Sequence, residues 1–340
     1  MEGRRGPIAI IACKSGKRFA EKILVELNNY LRESGMRDIE LLSSEETQFA
    51  NSEIKTVIND SIRGKDVYII QDVENSTNDL SIDQNLRALK TAIDAARRAD
   101  AHYITAVIPV FPYARQDKQI GRECITAVQV AEEIENAGAD RVLTLDIHNT
   151  AIAGFFRKAK FENLRASKNI LEYIKQNICL DNLVVVAPDE GGTKRASYYA
   201  QVLRTKLAIV YKKRDYGKTS EIESTTLLGE VDGKDILIVD DMISTGRTLC
   251  SISKMLKEEF GVNEIYLACS LPLFNYPAIE GLSELFSNRT IRQVIGTDAV
   301  SHGPELGANN LWYKELSVAK YFAKVIYNIN NCISLSALLK

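Results

Sequence analysis

The chain predicts an α/β fold in two successive units, each a largely parallel sheet flanked by helices. Three observations carry this. Short runs of aliphatic and β-branched residues alternate with longer stretches of helical periodicity along the whole chain, the pattern of parallel strands joined by crossovers. The runs are apolar throughout rather than at every second residue, as strands covered on both faces require. At 340 residues the chain exceeds what one small core organises, so two domains are the natural partition.

The elements follow in order. PIAIIAC is the first strand, and KRFAEKILVELNNYLRES a helix that turns Phe19, Ile23, Leu24, Leu27 and Leu31 to the core. DVYIIQDV (66–73) is a strand, NLRALKTAIDAARRA a helix, YITAVIPVF a strand, AVQVAEEIENAG a helix and RVLTLDI a strand. The pattern then starts again with helix SKNILEYIKQNI, strand LVVVAP, helix GTKRASYYAQVLRT and strand KLAIVYKK. Strands ILIV, NEIYLACSL and IRQVIG complete it. The expected domains are 1–167 and 168–317, with 318–340 packing back on the first.

Composition narrows the partners. A formal charge of −2 with 26% charged residues carries no global nucleic-acid signature, so a small anion is the expected partner. Cys13, Cys124, Cys179, Cys250, Cys269 and Cys332 have no metal-type spacing and suit reduced thiols. No apolar run approaches membrane-spanning length, and Ile8 to Cys13 is too short and too soon followed by charge for a signal segment. These features predict a cytoplasmic protein without nucleic-acid or membrane partners.

The most informative stretch is ILIVDDMISTGRT (236–248). A buried strand runs into Asp240 and Asp241, then into Ser244, Thr245, Gly246, Arg247 and Thr248 ahead of the helical LCSISKMLKEEF. A helix N-terminus offers free backbone N–H groups and a favourable dipole to a phosphate. Two carboxylates beside that cradle suit the hydroxyls of an attached sugar, or Mg²⁺ held by the same ligand.

Four further constellations lie at or near predicted strand ends, where open α/β sheets bind ligands. In VVVAPDEGGTKRA, Gly191 and Gly192 permit close backbone approach to an anion, Asp189 can reach a metal, and Lys194 with Arg195 favours phosphate. In IPVFPYARQDKQIGRECITA, Pro109 and Pro112 stiffen the strand exit, and Arg115 with Gln116 offers a fork for nucleotide phosphates. His148 in LTLDIHN reads either as a satisfied capping residue or as a ligand. Phe49 and Glu53 could serve a base by stacking and by accepting from an exocyclic amine, or could be hairpin or interface residues. Lys212, Lys213 and Arg214 follow a strand in YKKRDYGKTSEIESTT, one of the three long polar loops.

Taken together these stretches resemble, in order and spacing, the ribose-phosphate pyrophosphokinases, and the resemblance spans nearly the whole chain, including FENLRASKNILEYI and SVAKYFAKVIYNIN. It implies two phosphoribosyltransferase-like domains and transfer of the β,γ-diphosphoryl group of ATP to the anomeric hydroxyl of ribose 5-phosphate. By resemblance Asp240, Asp241, Ser244, Thr245, Gly246, Arg247 and Thr248 hold ribose 5-phosphate, and Asp189, Glu190, Gly191 and Gly192 line the diphosphate side. His148 and Asp189 hold Mg²⁺, Arg115 and Gln116 contact ATP, and Phe49, Asn51 and Glu53 of a neighbouring subunit recognise adenine. Lys212 and Arg214 match the family's catalytic loop, and a homo-oligomer, a hexamer built from dimers, is implied. Ser244 stands where many relatives carry Asp, Arg247 where glycine is common, and KQIGREC is shorter than the usual pattern. These departures leave two other functions to be weighed, a catalytically silent regulatory subunit of such a synthetase and a phosphoribosyltransferase.

Overall fold

The computed structural model describes residues 4–74, 77–214 and 222–338, without the side chains of 212–214 and 222–225. The chain divides into two compact units, one of 1–165, 298–303 and 317–340, the other of 166–297 and 304–316. Residues 298–303, expected in the second domain, thus cluster with the first.

In the first unit the order is β1 (Ile8–Ala12), α1 (Lys17–Glu33), β2 (Ser44–Gln48), β3 (Ile54–Ile58), β4 (Asp66–Ile70) and α2 (Ile82–Arg98). Then come β5 (Tyr103–Val107), α3 (Thr126–Ala137), β6 (Arg141–Leu145) and β7 (Lys160–Leu164). The sheet order is β1-β4-β5-β6-β7, with every pairing parallel. Val67 and Ile69 belong to the core cluster that includes Leu89, Ile93, Val130 and Ile134 of α2 and α3. The alternate residue Tyr68 faces the other layer, where its hydroxyl lies 3.4 Å from the Ile326 carbonyl. There α1 meets the C-terminal helix, and Phe19 and Phe322 stack edge to face at 5.2 Å.

Sequence reading extends three of these strands too far, RVLTLDI among them, which ends at Leu145. The apolar run 66–73 ends as a strand at Ile70; the Gln71 N–H still bonds the Val107 carbonyl at 3.0 Å, while its side-chain Nε2 donates to the Asn85 carbonyl at 2.8 Å. YITAVIPVF ends at Val107, ahead of Pro109 and Pro112, which cannot donate to a ladder. The antiparallel pair β2–β3 is a separate hairpin that rests on α2 through Thr56 and Thr91, whose hydroxyls are 2.9 Å apart.

The second unit runs α4 (Ser167–Asn177), β8 (Leu183–Ala187), α5 (Thr193–Leu203), β9 (Lys206–Arg214), β10 (Ile222–Leu228), β11 (Asp235–Ile243) and α6 (Arg247–Glu259). It continues with β12 (Ile265–Pro272), α7 (Ala278–Ser287), β13 (Gln293–Thr297), α8 (Glu305–Asn309) and β14 (Tyr313–Leu316). The sheet order is β10-β9-β8-β11-β12-β13-β14. It is parallel except for the β9–β10 edge. Ile236 and Ile238 share one core with Ile252, Leu256, Leu282 and Leu285 of α6 and α7. Helix α9 (Ala319–Asn330) then returns to the first unit.

Candidate functional site

In the second unit the functional residues gather where β11 outruns its neighbour. Its pairing with β8 stops at Ile238, whereas its pairing with β12 continues to Ile243. Asp240 and Asp241 therefore lie inside the strand rather than in a turn after it, and the side that β8 leaves open is filled by α5. From the first turn of α5, Arg195 Nη1 donates to Asp240 Oδ1 at 3.2 Å, and Nη2 stands 3.6 Å from Asp241 Oδ2. The carboxylates are also held by the strand itself. The Asp241 N–H donates to Asp240 Oδ1 at 2.8 Å, and the Met242 N–H to Asp241 Oδ1 at 3.0 Å. Burial, followed by the charge of Asp241, pushes the Asp240 carboxyl up to about 7, and Arg195 opposes the shift.

The chain turns at Ser244, whose hydroxyl accepts from Asn275 Nδ2 at 3.1 Å. Gly246 then takes φ +70, a left-handed conformation that strains other residues. Helix α6 begins at once, so Arg247 and Thr248, expected in the loop, occupy its first turn and are exposed. Thr245 is exposed beside them. The first N–H groups of a helix lack intrahelical acceptors and present an anion cradle.

The neighbouring turn 188–192 enters α5. Asp189 and Glu190 are exposed, and Asp189 Oδ1 accepts the Gly192 N–H at 2.8 Å, which closes the turn ahead of the helix. The Glu190 carbonyl takes the Thr193 N–H at 3.2 Å. A side chain at Gly192 would come within 3.2 Å of Pro188 Cδ, so this turn has little room for one. One expected role changes here. Arg195 is anticipated as a phosphate group, but it is engaged with the acidic pair, a partnership between residues 45 apart that no local spacing reveals.

In the first unit the expected residues stand on turns after strands. Tyr113 takes φ 58, and its hydroxyl donates to Asp83 Oδ1 at 2.6 Å, in the first turn of α2. Beyond it Arg115 and Gln116 are exposed. The Gln116 N–H donates to the Tyr113 carbonyl at 2.9 Å, and the Gln116 carbonyl accepts from the Ala127 N–H at 3.2 Å. Glu74 is partly buried, which raises its carboxyl, while the positive charge of Arg115 opposes the rise. After β6, His148 is exposed and is followed by Asn149, which donates to Asp117 Oδ2 at 2.5 Å and accepts the Ala151 N–H at 3.0 Å.

Phe49, Asn51 and Glu53 share the tip of the β2–β3 hairpin. The Phe49 N–H donates to the Glu53 carbonyl at 2.8 Å, and Asn51 Oδ1 accepts the Glu53 N–H at 3.2 Å. Phe49 remains 47% exposed at that tip. Lys212 and Arg214 belong to β9, facing Thr225 and Ile222 of β10, and their side chains lie outside the described residues. Sequence reading missed Tyr113, Asp83 and Glu74; the left-handed turn and the long-range bonds that involve them have no local signal.

Among the described residues no three His, Cys, Asp or Glu side chains converge. Mg²⁺ commonly takes one or two carboxylates and completes its shell with water and substrate phosphates, a mode that Asp189 fits. The imidazole of His148 is a softer donor that Mg²⁺ takes less readily. A cavity of about 730 Å³ in the first unit, lined by Arg5, Tyr103, Arg141, Lys160 and Glu162, opens at the amino ends of β5–β7 and holds none of the expected residues. The six cysteines are free, and among the described residues no helix is long and apolar enough to cross a membrane.

Residues 8–138 match the N-terminal domain of ribose phosphate pyrophosphokinase, and residues 158–280 the phosphoribosyl transferase domain. The chain is 41% identical over 295 residues to the ribose-phosphate pyrophosphokinase of Vibrio parahaemolyticus, covering 86% of this chain and 89% of that one. It is 35% identical over 334 residues to ribose-phosphate pyrophosphokinase 1 of Listeria monocytogenes, covering 98% and 97%. The crystal structure of phosphoribosylpyrophosphate synthetase from Mycobacterium smegmatis superposes with a TM-score of 0.82 at 30% identity, over 95% of this chain and 98% of that one. With both family domains present in order and relatives matched from end to end, this chain belongs to the ribose-phosphate pyrophosphokinase family.

Proposed function

We propose that the chain transfers the β,γ-diphosphoryl group of ATP to the anomeric hydroxyl of ribose 5-phosphate, giving phosphoribosyl pyrophosphate and AMP for nucleotide biosynthesis. The observation that carries this reading is the acidic pair Asp240–Asp241 beside the N-terminus of α6, in a chain similar end to end to ribose-phosphate pyrophosphokinases. Thr245, Gly246, Arg247 and Thr248 take the sugar's phosphate, while Asp240, Asp241 and Ser244 take its hydroxyls. Asp189, Glu190, Gly191 and Gly192 line the path of the diphosphoryl group. Arg115 and Gln116 hold the nucleotide phosphates, and Phe49, Asn51 and Glu53 serve adenine from a neighbouring subunit.

The anomeric oxygen attacks the β-phosphorus as its proton passes to solvent, the bond from that phosphorus to the oxygen of the α-phosphate breaks, and AMP leaves. Such transfer depends mainly on in-line positioning and on neutralising charge on the transferred group. Lys212 and Arg214 provide that neutralisation and exclude water that would hydrolyse ATP. Asp189, and His148 on the nucleotide side, would hold Mg²⁺, which supplies further positive charge to the phosphates when bound. The acidic pair orients the sugar, and no side chain is assigned as a dedicated general base. The protein works in the cytoplasm as a homo-oligomer.

The test is formation of AMP and phosphoribosyl pyrophosphate by purified protein from ATP, ribose 5-phosphate and Mg²⁺, with and without inorganic phosphate. Both products in equal amounts are expected. Folded protein that binds nucleotide but forms neither would be a silent regulatory subunit. Consumption of preformed phosphoribosyl pyrophosphate with a nucleobase, without the forward reaction, would make it a phosphoribosyltransferase.

A further inference from the structure

We propose that Arg195 is the positioning residue that turns the Asp240–Asp241 pair into a reader of sugar hydroxyls, rather than a ligand of any phosphate. The inference rests on the ribose 5-phosphate site proposed above and gives it a source of substrate specificity. Two neighbouring carboxylates in a poorly solvated strand repel each other, and each tends to rotate away or to take up a proton. A protonated carboxyl turns one oxygen into a donor and is a weaker acceptor, and a rotated one no longer faces the hydroxyl. The forked guanidinium meets one oxygen of each, 3.2 Å from Asp240 Oδ1 and 3.6 Å from Asp241 Oδ2, while the strand's own N–H groups hold Asp240 Oδ1 and Asp241 Oδ1.

The two carboxylates are thereby given different tasks. Asp241 is 7% exposed at its side chain and Asp240 25%, so Asp241 is the buried anchor and Asp240 the edge a ligand can touch. Arg195 is itself 27% exposed and already spans both acids, so a phosphate could claim it only by leaving the pair uncompensated. The fork matters because a guanidinium offers two donors in a fixed plane, whereas an ammonium is a single point charge.

The experiment measures binding of ribose 5-phosphate, its 2-deoxy and 3-deoxy analogues, and inorganic phosphate by calorimetry, without nucleotide or metal, for the full chain and for Arg195→Gln and Arg195→Lys. Thermal melting of each variant accompanies the titrations. In the unaltered protein at least one deoxy analogue binds more weakly than ribose 5-phosphate. Arg195→Gln is expected to weaken ribose 5-phosphate about 30-fold, the scale of hydrogen bonds to charged groups, and to bring the deoxy analogues level with it. Inorganic phosphate binding stays as it was. Arg195→Lys keeps the charge without the fork and falls between; it decides the matter if the glutamine variant does not fold. Equal weakening of all four ligands would make Arg195 a phosphate ligand and overturn the proposal, as would intact discrimination in both variants. Loss of that discrimination on Arg195→Gln, in a protein that makes no product, supports the inference and sinks only the proposed activity. One that binds no ribose 5-phosphate sinks both.

Discussion

The two units present their candidate residues at the carboxyl edges of similar sheets but hold them by different means. In the second unit the acidic pair lies within a strand, Asp241 buried and Asp240 partly so, and is held by Arg195 together with the strand's own N–H groups. In the first, Arg115, Gln116 and His148 stand exposed on turns, and the turn that carries Arg115 and Gln116 is fixed by neutral or singly charged hydrogen bonds such as Tyr113 to Asp83. Changes in a buried charged arrangement should therefore cost by charge and be large. Changes in the turns should cost by misplacement and be small.

The largest effect is expected at Lys212, which on the family resemblance acts only on the transferring group. Lys212→Ala should lower kcat on the order of 10³-fold, the low end for a cation acting on a phosphoryl transition state, and leave ribose 5-phosphate affinity nearly unchanged. Steady-state kinetics beside direct titration of the sugar phosphate would separate the two. Equal loss in both would make Lys212 a binding residue and bring β9 under the same rule as β11.

Among the described residues the first unit buries three carboxylates, Asp66, Asp72 and Asp298, and Asp72 sharpens the contrast. Asp72 is fully enclosed and accepts the Ser301 N–H at 2.6 Å, and burial pushes its carboxyl up to about 7. The folded state thus holds this proton more tightly than the unfolded chain does. The contribution is complete below the ordinary carboxylate range and is lost as pH rises through about 7. Urea unfolding should show stability falling from pH 4 to pH 7, by roughly 4 kcal/mol at most from this group, and levelling above. Asp72→Asn should reduce that slope by the Asp72 share, leaving the part contributed by Asp240, whose carboxyl is also raised to about 7. A variant with the slope of the unaltered protein would mean that Asp72 ionises without cost.

A smaller effect is expected from Asp241→Asn, which keeps the shape and the Met242 N–H bond but removes the anchor charge from Arg195. Specificity for ribose 5-phosphate, kcat/KM, should fall about 10²-fold, the scale of losing a partly buried charged hydrogen bond and misplacing its neighbour. The same change at Asp189, exposed in the turn ahead of α5, should cost less sugar binding. A reversal of that order would break the distinction between buried and exposed edges.

The same distinction governs what was legible in the sequence. The alternation of apolar runs and helices was readable because burial on both faces leaves a continuous local pattern, and Asp240, Asp241 and Gly246 were readable because strand, acids and helix start are contiguous. Strand ends were not, since the extension of β11 to Ile243 depends on its pairing with β12. Arg195 illustrates the remaining gap. Its place near an anion-type turn suggested phosphate, and only the fold brings it to carboxylates on another strand. The Tyr113–Asp83 bond was equally hidden, because positive φ at tyrosine has no composition signal.

That last bond offers the finest test of the comparison. A tyrosine in the left-handed region costs on the order of 1 kcal/mol, so the surrounding contacts must hold it there. The bond to Asp83, followed by burial, pushes the Tyr113 hydroxyl up to about 12, so it stays a donor throughout any ordinary assay. Tyr113→Phe should release the turn without disturbing unit 2. KM for ATP should rise about 5-fold, the scale of one hydrogen bond to a charged group, with kcat and KM for ribose 5-phosphate nearly constant. The ATP dependence should show no titration of its own between pH 7 and pH 10, because the tyrosine keeps its proton until pH approaches about 12. Asp83→Asn, which keeps an acceptor, should restore most of the affinity that Asp83→Ala loses. If Tyr113→Phe instead lowered kcat with KM for ATP unchanged, the turn would act on the transition state, and the first unit's edge would no longer be one that only positions.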